Sequence, residues 1–167
     1  MNSSRNANRI FWILIVGGAA FIWHSRQQLP ERVASHFDAN GIANGFMTRD
    51  VYISFMLAMS ILLPLFLNWI MGRSMSSRLE RINIPHREYW LAPERQAETI
   101  AFLQVLATRF ATQLLAFLIF VHGVVLLGNS SNPPQLPMSL FWGGLSVFIA
   151  ASLLMLLGLW RRFKVAK

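Results

Sequence analysis

The sequence has 167 residues, 54% of them hydrophobic and only 13% charged, with a net charge of +8. Soluble domains carry roughly 25% charged residues, so this composition excludes an ordinary soluble globule and argues for a chain embedded in a bilayer. The absence of cysteine further excludes disulfides, thiolate metal sites, iron–sulfur clusters and cysteine nucleophiles.

Four apolar runs stand out: Ile10–Trp23, Val51–Met71, Phe110–Leu127 and Met138–Trp160. Lys and Arg number 2, 3, 6, 0 and 4 in the five segments outside those runs. The odd segments are the basic ones, and the positive-inside rule therefore puts both termini and the middle loop in the cytoplasm. The expected fold class is an all-α membrane protein with four transmembrane helices, N-in and C-in, a structured outer loop and a cytoplasmic amphipathic segment. Three units are expected: an N-terminal membrane part (1–71), a cytoplasmic loop (72–109) and a C-terminal helical hairpin with a basic tail (110–167). The positive charge then reports topology and attraction to anionic headgroups, and nucleic acid is not an expected partner.

The first run is the shortest at 14 residues, below the ~20 that cross a bilayer. Two readings stay open. A retained helix extends back to Ala7, with Arg9 snorkelling to the headgroups; a cleaved signal ends at the small residues around Gly18 and Ala20. The four-span model adopts the first.

The outer loop, 24–50, contains "SHFDANGIANG" (Ser35–Gly45). Asn40-Gly41 and Asn44-Gly45 are both strong turn dipeptides, and Asp38 and Asn40 suit capping of local amides. A calcium loop of EF-hand type fails on Ile42, Ala43 and Arg49, which stand where ligands and the turn glycine belong. Zinc on His36 and Asp38 needs a third ligand, for which His24 and Asp50 are the near candidates. Ligand counting thus leaves a shaped loop as the favoured reading, with no metal and no cofactor expected.

The second span starts after Thr48, a plausible N-cap, with Asp50 in its first turn and Pro64 inside it. In the middle loop, Pro93 suits a first helical turn with Glu94 and Glu98 near its positive end. Ile100, Leu103, Leu106, Ala107 and Phe110 share one face. This amphipathic stretch either lies on the inner membrane surface or runs straight into the third span. His122, inside the third span, is a functional candidate by default; its bland alternative is a neutral histidine bonded to a neighbouring helix. It stands six residues before Gly128, about 9 Å of helix rise from the outer end. On the fourth span, Ser146 and Ala150 suit helix pairing and a homo-oligomer. Trp12, Trp69 and Trp160 are expected at the inner interface, and Trp23, Trp142 and Tyr52 at the outer one. Only Trp90 falls away from both.

No nucleophile elbow, metalloprotease helix or phosphate-cradling glycine loop occurs, and no span contains an internal Asp or Glu. Neither an enzyme nor an ion-coupled transporter is expected on these grounds.

Two motifs carry a family resemblance. "LPERVASHFDANGIANGF" (Leu29–Phe46) resembles the signature of the bacterial membrane domain of unknown function numbered 1648, found among others in SdpI-type immunity proteins; the matching positions are Leu29, Pro30, Val33, His36 and Gly41. Ala34 departs from it, since the family commonly has proline there. "NIPHREYWLAPER" (Asn83–Arg95) is similar to a stretch that often follows, matching at Pro85, Tyr89, Trp90, Pro93, Glu94 and Arg95. The resemblance implies a multi-pass protein of the bacterial inner membrane. It also implies an immunity or resistance role against a membrane-targeting toxin, with signalling as the alternative. SdpI-type proteins are longer, with additional spans. His36, Asp38, Asn40 and Gly41 are the expected outer contact with a toxin, and His122 a contact within the membrane. Tyr89 and Trp90 are the expected dock for a cytoplasmic signalling partner.

Overall fold

The computed structural model describes residues 2–77 and 82–164. Arg78 and Arg81 of the basic middle loop and Lys167 of the basic tail lie outside the described residues. The elements run α1 (Asn2–Ser25), a 3₁₀ turn (Arg26–Gln28), β1 (Arg32–Phe37), β2 (Ala43–Thr48), α2 (Arg49–Ser77), α3 (Arg87–Trp90), α4 (Pro93–Asn129) and α5 (Met138–Lys164). Among the described residues, α1, α2, α4 and α5 are long and apolar enough to cross a membrane. The protein is thus a multi-pass membrane protein, mostly helical.

The short first run becomes a full span by recruiting polar residues. α1 has 24 residues, about 36 Å at 1.5 Å per residue and enough for a ~30 Å hydrocarbon core. Phe11 and Ile15 are buried against Ala111 and Leu115 of α4. α4 is the longest element, at 37 residues. The amphipathic stretch and the third span are one continuous helix, so the expected unit boundary at 109/110 falls inside it. Pro93 opens α4 at its first turn, where its missing N–H costs no helical bond. α2 begins directly after Thr48, carries Asp50 in its first turn and continues through Pro64.

α1, α2 and α4 pack against one another, whereas α5 rests mainly on α4. Gln113 Nε2 joins these two helices by donating to the Phe148 carbonyl and to Ser152 Oγ, each at 2.9 Å. The only buried residue of α5 is Phe163. It packs with Ile82, Ile84 and Leu103, closing the end of the bundle near the termini. The rest of α5 turns Leu140, Val147, Leu154 and Leu156 outward, as a helix solvated by acyl chains does.

The all-α expectation needs one correction. The loop between the first two spans is a two-stranded antiparallel hairpin, pairing Arg32 with Thr48, Val33 with Met47, Ala34 with Phe46, His36 with Gly45 and Phe37 with Ala43. Register shifts flank His36, which leaves Ser35 and Asn44 as the extra residues. Asn40-Gly41 forms the expected turn: Gly41 has φ +80, and a Cβ there would meet the Leu136 carbonyl oxygen at 2.6 Å. Asn44-Gly45 does not form a second turn. It lies in β2, where a Cβ on Gly45 would stand 2.9 Å from the Cβ of His36. Its glycine serves strand approach, which a turn dipeptide count does not distinguish.

The edge of the hairpin is tied to α4 through the Asn129 side chain. Ala34 N–H donates to Asn129 Oδ1 at 2.8 Å, and Asn129 Nδ2 donates to the Ala34 carbonyl at 2.9 Å. The carboxamide therefore pairs with β1 as a neighbouring strand would, satisfying an edge that is otherwise open. Asn129 Nδ2 also donates to the Val125 carbonyl of its own helix, so the amide is fixed at both ends. Beneath it, Val33 packs with Ile22, Leu29, Tyr52, Ile53 and Val125.

Asn129→Ala removes both bonds to a fully buried Ala34. Amide exchange at residue 34 should then quicken by roughly tenfold or more, while exchange in the middle of α4 stays unchanged. Ala34→Pro removes the same N–H and should add nothing further at the dock when combined with Asn129→Ala. An additive loss of stability in the double variant would mean that the amide pairing does not hold the hairpin.

Candidate functional site

The hairpin stands over the ends of α4 and α5 and encloses a cleft of about 330 Å³ with them. The hairpin supplies Ser35, His36, Phe37, Asp38 and Ala39 at one wall. Val121 and Val125 of α4, Leu136 of the loop before α5, and Phe141 and Trp142 at the start of α5 supply an apolar floor and opposite wall. The result is an apolar slot with an imidazole and a carboxylate at its rim, a combination suited to an amphipathic guest.

The expected contact residues divide by what the fold asks of them. Asp38 organises the turn: its Oδ1 accepts from the N–H groups of Asn40 and Ile42 at 2.8 and 2.9 Å. Gly41 holds the left-handed turn conformation, and its carbonyl accepts from Leu136 N–H at 2.8 Å, tying the hairpin tip to the loop before α5. Leu29 and Val33, which match the family signature, are core residues. Asn40 is exposed at the tip. His36 differs from all of these. It is exposed, it lines the cleft, and its ring makes no hydrogen bond within the described residues. No packing requirement accounts for an imidazole there.

The two nominated third ligands for zinc stand elsewhere. Asp50 pairs with Arg26, accepting at 2.9 and 2.6 Å, and His24 is exposed on α1. Among the described residues no three His, Asp or Glu side chains converge as a metal would need.

His122 lies away from the cleft surface, fully buried between three helices. Its Nε2 is 2.7 Å from Ser25 Oγ and its Nδ1 3.0 Å from the Tyr52 hydroxyl. Ser25 Oγ also donates to the Ile22 carbonyl at 2.8 Å. A serine has one proton to give, so the bond to Ile22 assigns donation to His122 Nε2–H and acceptance to Nδ1, which receives the Tyr52 proton. A neutral imidazole satisfies all three groups. Tyr52 stacks on the ring and Phe21 meets it edge-on, with centroids 5.7 and 5.5 Å away. Tyr52 is therefore not in an outer aromatic belt as the sequence suggested; it is 3% exposed and belongs to the core. Trp23 and Trp142 do face outward, as do Trp12, Trp69 and Trp160.

The second motif has a structural task at the other end. Trp90 packs edge-on against Phe163 at 5.2 Å, and its carbonyl accepts from Thr99 Oγ1 at 2.9 Å. Arg95 stacks on Tyr89 at 4.0 Å. Arg162 bridges to Glu98 at 2.7 Å and lies over Phe102. Tyr89 and Trp90 are half-buried here and clamp the middle segment to the end of α5.

Sequence reasoning missed Phe141, Trp142 and Leu136 as cleft residues, and Ser25, Tyr52 and Asn129 as polar partners. A depth argument reaches some of them: Ser25, Tyr52 and His122 each fall within two turns of the same end of their spans.

Replacing His122 by Ala strands Ser25 Oγ and the Tyr52 hydroxyl beside a gap. The expected loss is about 2–4 kcal/mol in detergent unfolding, against about 1 kcal/mol for Tyr52→Phe. Equal losses would mean that the imidazole contributes no more than a single bond.

Comparison with known families concerns the first part of the chain. Residues 11–62 match the family model described as domain of unknown function (DUF1648), a stretch running from α1 through the hairpin into α2. The Asn83–Arg95 segment lies outside it. No curated protein and no solved structure matches the chain. Residues 11–62 are thus similar to that domain, and the cleft joins the hairpin inside the matched stretch to two helices beyond it.

Proposed function

We propose that the protein is a membrane-embedded binding protein of the immunity or resistance type, which intercepts a membrane-damaging peptide toxin at the hairpin. The observation that carries this reading is His36, an exposed imidazole with no structural partner at the rim of an apolar cleft. A peptide that enters membranes is amphipathic. An apolar anchor side chain fits between Phe141 and Trp142, and its polar flank meets His36 and the free oxygen of Asp38. The charge distribution supports an arrangement with both termini in the cytoplasm and the hairpin outside, which faces the cleft toward an incoming toxin. On this reading the membrane is the bacterial inner membrane and no covalent step is catalysed.

A signalling role through Tyr89 and Trp90 has less support, since the Trp90 ring is packed on Phe163. A transporter component has less still, because the spans carry no carboxylate relay.

Cells of a sensitive strain expressing this protein should survive production of a membrane-depolarising toxin from the source organism. His36→Ala and Trp142→Ala should each raise sensitivity by about tenfold or more, with the unfolding midpoint of the purified variants unchanged. His122→Ala should act only in proportion to its loss of folded protein. Protection retained in full by His36→Ala would remove the cleft from the account; lack of protection against every toxin of that organism would remove the immunity reading.

A further inference from the structure

A second cavity, of about 380 Å³, lies at the opposite end of the bundle between α1 and α4. Ser3, Asn6, Ala7 and Ile10 line it from α1, and Arg109 and Thr112 from α4. Its chemistry differs from that of the cleft. Arg109 is exposed, and its hydrogen bond among the described residues is a long one, 3.4 Å from Nη2 to Ser3 Oγ. Arg109 takes part in neither of the ion pairs Arg26–Asp50 and Arg162–Glu98. Asn6 is exposed, and its carboxamide makes no hydrogen bond among the described residues. No carboxylate lines the cavity, and α1 has no acidic residue in its first turn. A guanidinium, two hydroxyls and an amide therefore converge around a positive charge that no carboxylate of the lining meets.

The depth of the cavity identifies the acceptor. Arg109 directly precedes the apolar run of α4, and Ile10 opens the apolar run of α1. The cavity thus sits at the level where both helices pass from water into hydrocarbon. That is the level of lipid phosphates. A guanidinium binds a phosphodiester through two parallel N–H donors, and Ala7 and Ile10 offer an apolar wall below for the first carbons of an acyl chain. Arg5 and Arg9 on the same helix add to the positive potential.

We propose that this cavity is a binding site for the headgroup phosphate of an anionic phospholipid, with Arg109 as its principal ligand and Ser3 and Asn6 as donors. The site is independent of the hairpin cleft and of the toxin-binding reading. A free phosphate would meet the same donors but would leave Ile10 without a partner.

The test is native mass spectrometry of the full chain, purified in a non-ionic detergent and titrated separately with phosphatidylglycerol, phosphatidylcholine and inorganic phosphate. The wild-type protein should prefer phosphatidylglycerol over phosphatidylcholine by about fivefold or more. Arg109→Gln should abolish that preference, Arg109→Lys should keep part of it, and Arg9→Gln, outside the cavity, should leave it unchanged. Unaltered preference in Arg109→Gln overturns the proposal. So does an equal loss in Arg9→Gln, which would mean diffuse attraction to the whole basic end. Displacement of phosphatidylglycerol by stoichiometric inorganic phosphate overturns the lipid assignment. Loss of all lipid binding in both Arg109 variants, with a lowered unfolding midpoint, would make Arg109 a folding residue and overturns it too.

Discussion

The hydrogen-bonded group Ser25–His122–Tyr52 is the constraint on which the hairpin end of the bundle depends. It takes one residue from each of α1, α2 and α4 and closes a chain of donors and acceptors inside a region with no water to substitute for a lost partner. Such a group specifies more than it stabilises. A one-residue shift of α1 or α2 would break that helix's bond to His122, and a shift of α4 would break both, so the relative depth of the three spans is set by it. The aromatic faces of Phe21 and Tyr52 seal the group on two sides. Conserving volume and apolarity would fill the same space but would leave sliding of the helices unopposed.

That fixed depth is what allows the hairpin to dock. Val33 rests on the apolar cluster just above the imidazole, and Asn129, seven residues along α4 from His122, meets Ala34 edge to edge. The hairpin tip is then tied by Gly41 to the loop before α5. The cleft arises from this sequence of attachments. One wall belongs to the hairpin, and the other to α4 and to a helix that otherwise touches little. Because α5 leans mainly on α4 and buries only Phe163, the cleft wall carrying Phe141 and Trp142 is held by Leu136 at the tip, by the Gln113 bonds to Phe148 and Ser152 along the helix, and by Phe163 and Trp90 at the far side. The clamp around Trp90 thereby has a role in positioning the cleft wall, although it lies a full span away.

Two features of the hairpin were placed correctly by local chemistry and one was not. Asn40-Gly41 had to be a turn, since it joins two apolar stretches with residues that tolerate positive φ. Asp38 had to cap it. The second dipeptide, Asn44-Gly45, has the same composition and a different use: its glycine yields space to His36 across the ladder. The distinction depends on register, and register depends on Val33 facing the core and Asn129 holding Ala34. The hairpin escaped the otherwise helical expectation for the related reason that two six-residue strands, interrupted by register shifts, carry no clean alternation to read. Alanine at position 34, where the resembled family commonly has proline, acquires a meaning here. Its N–H is used by Asn129, and a proline has none to give.

The amino-acid sequence by itself determined the four membrane helices, their approximate limits and the uneven distribution of basic charge. These follow from the transfer free energy of consecutive apolar residues and from the cost of carrying charge into a bilayer, both of which are additive along a chain. It also singled out His36 and His122 as polar residues out of place. Only the tertiary structure decided that they have opposite roles. His122 is satisfied by two hydroxyls from helices far away in the chain, while His36 is left without a partner at the rim of an apolar slot. Pairing of that kind depends on helix rotation and depth, which no local pattern encodes, because they are set by which side chains meet when three spans are packed together.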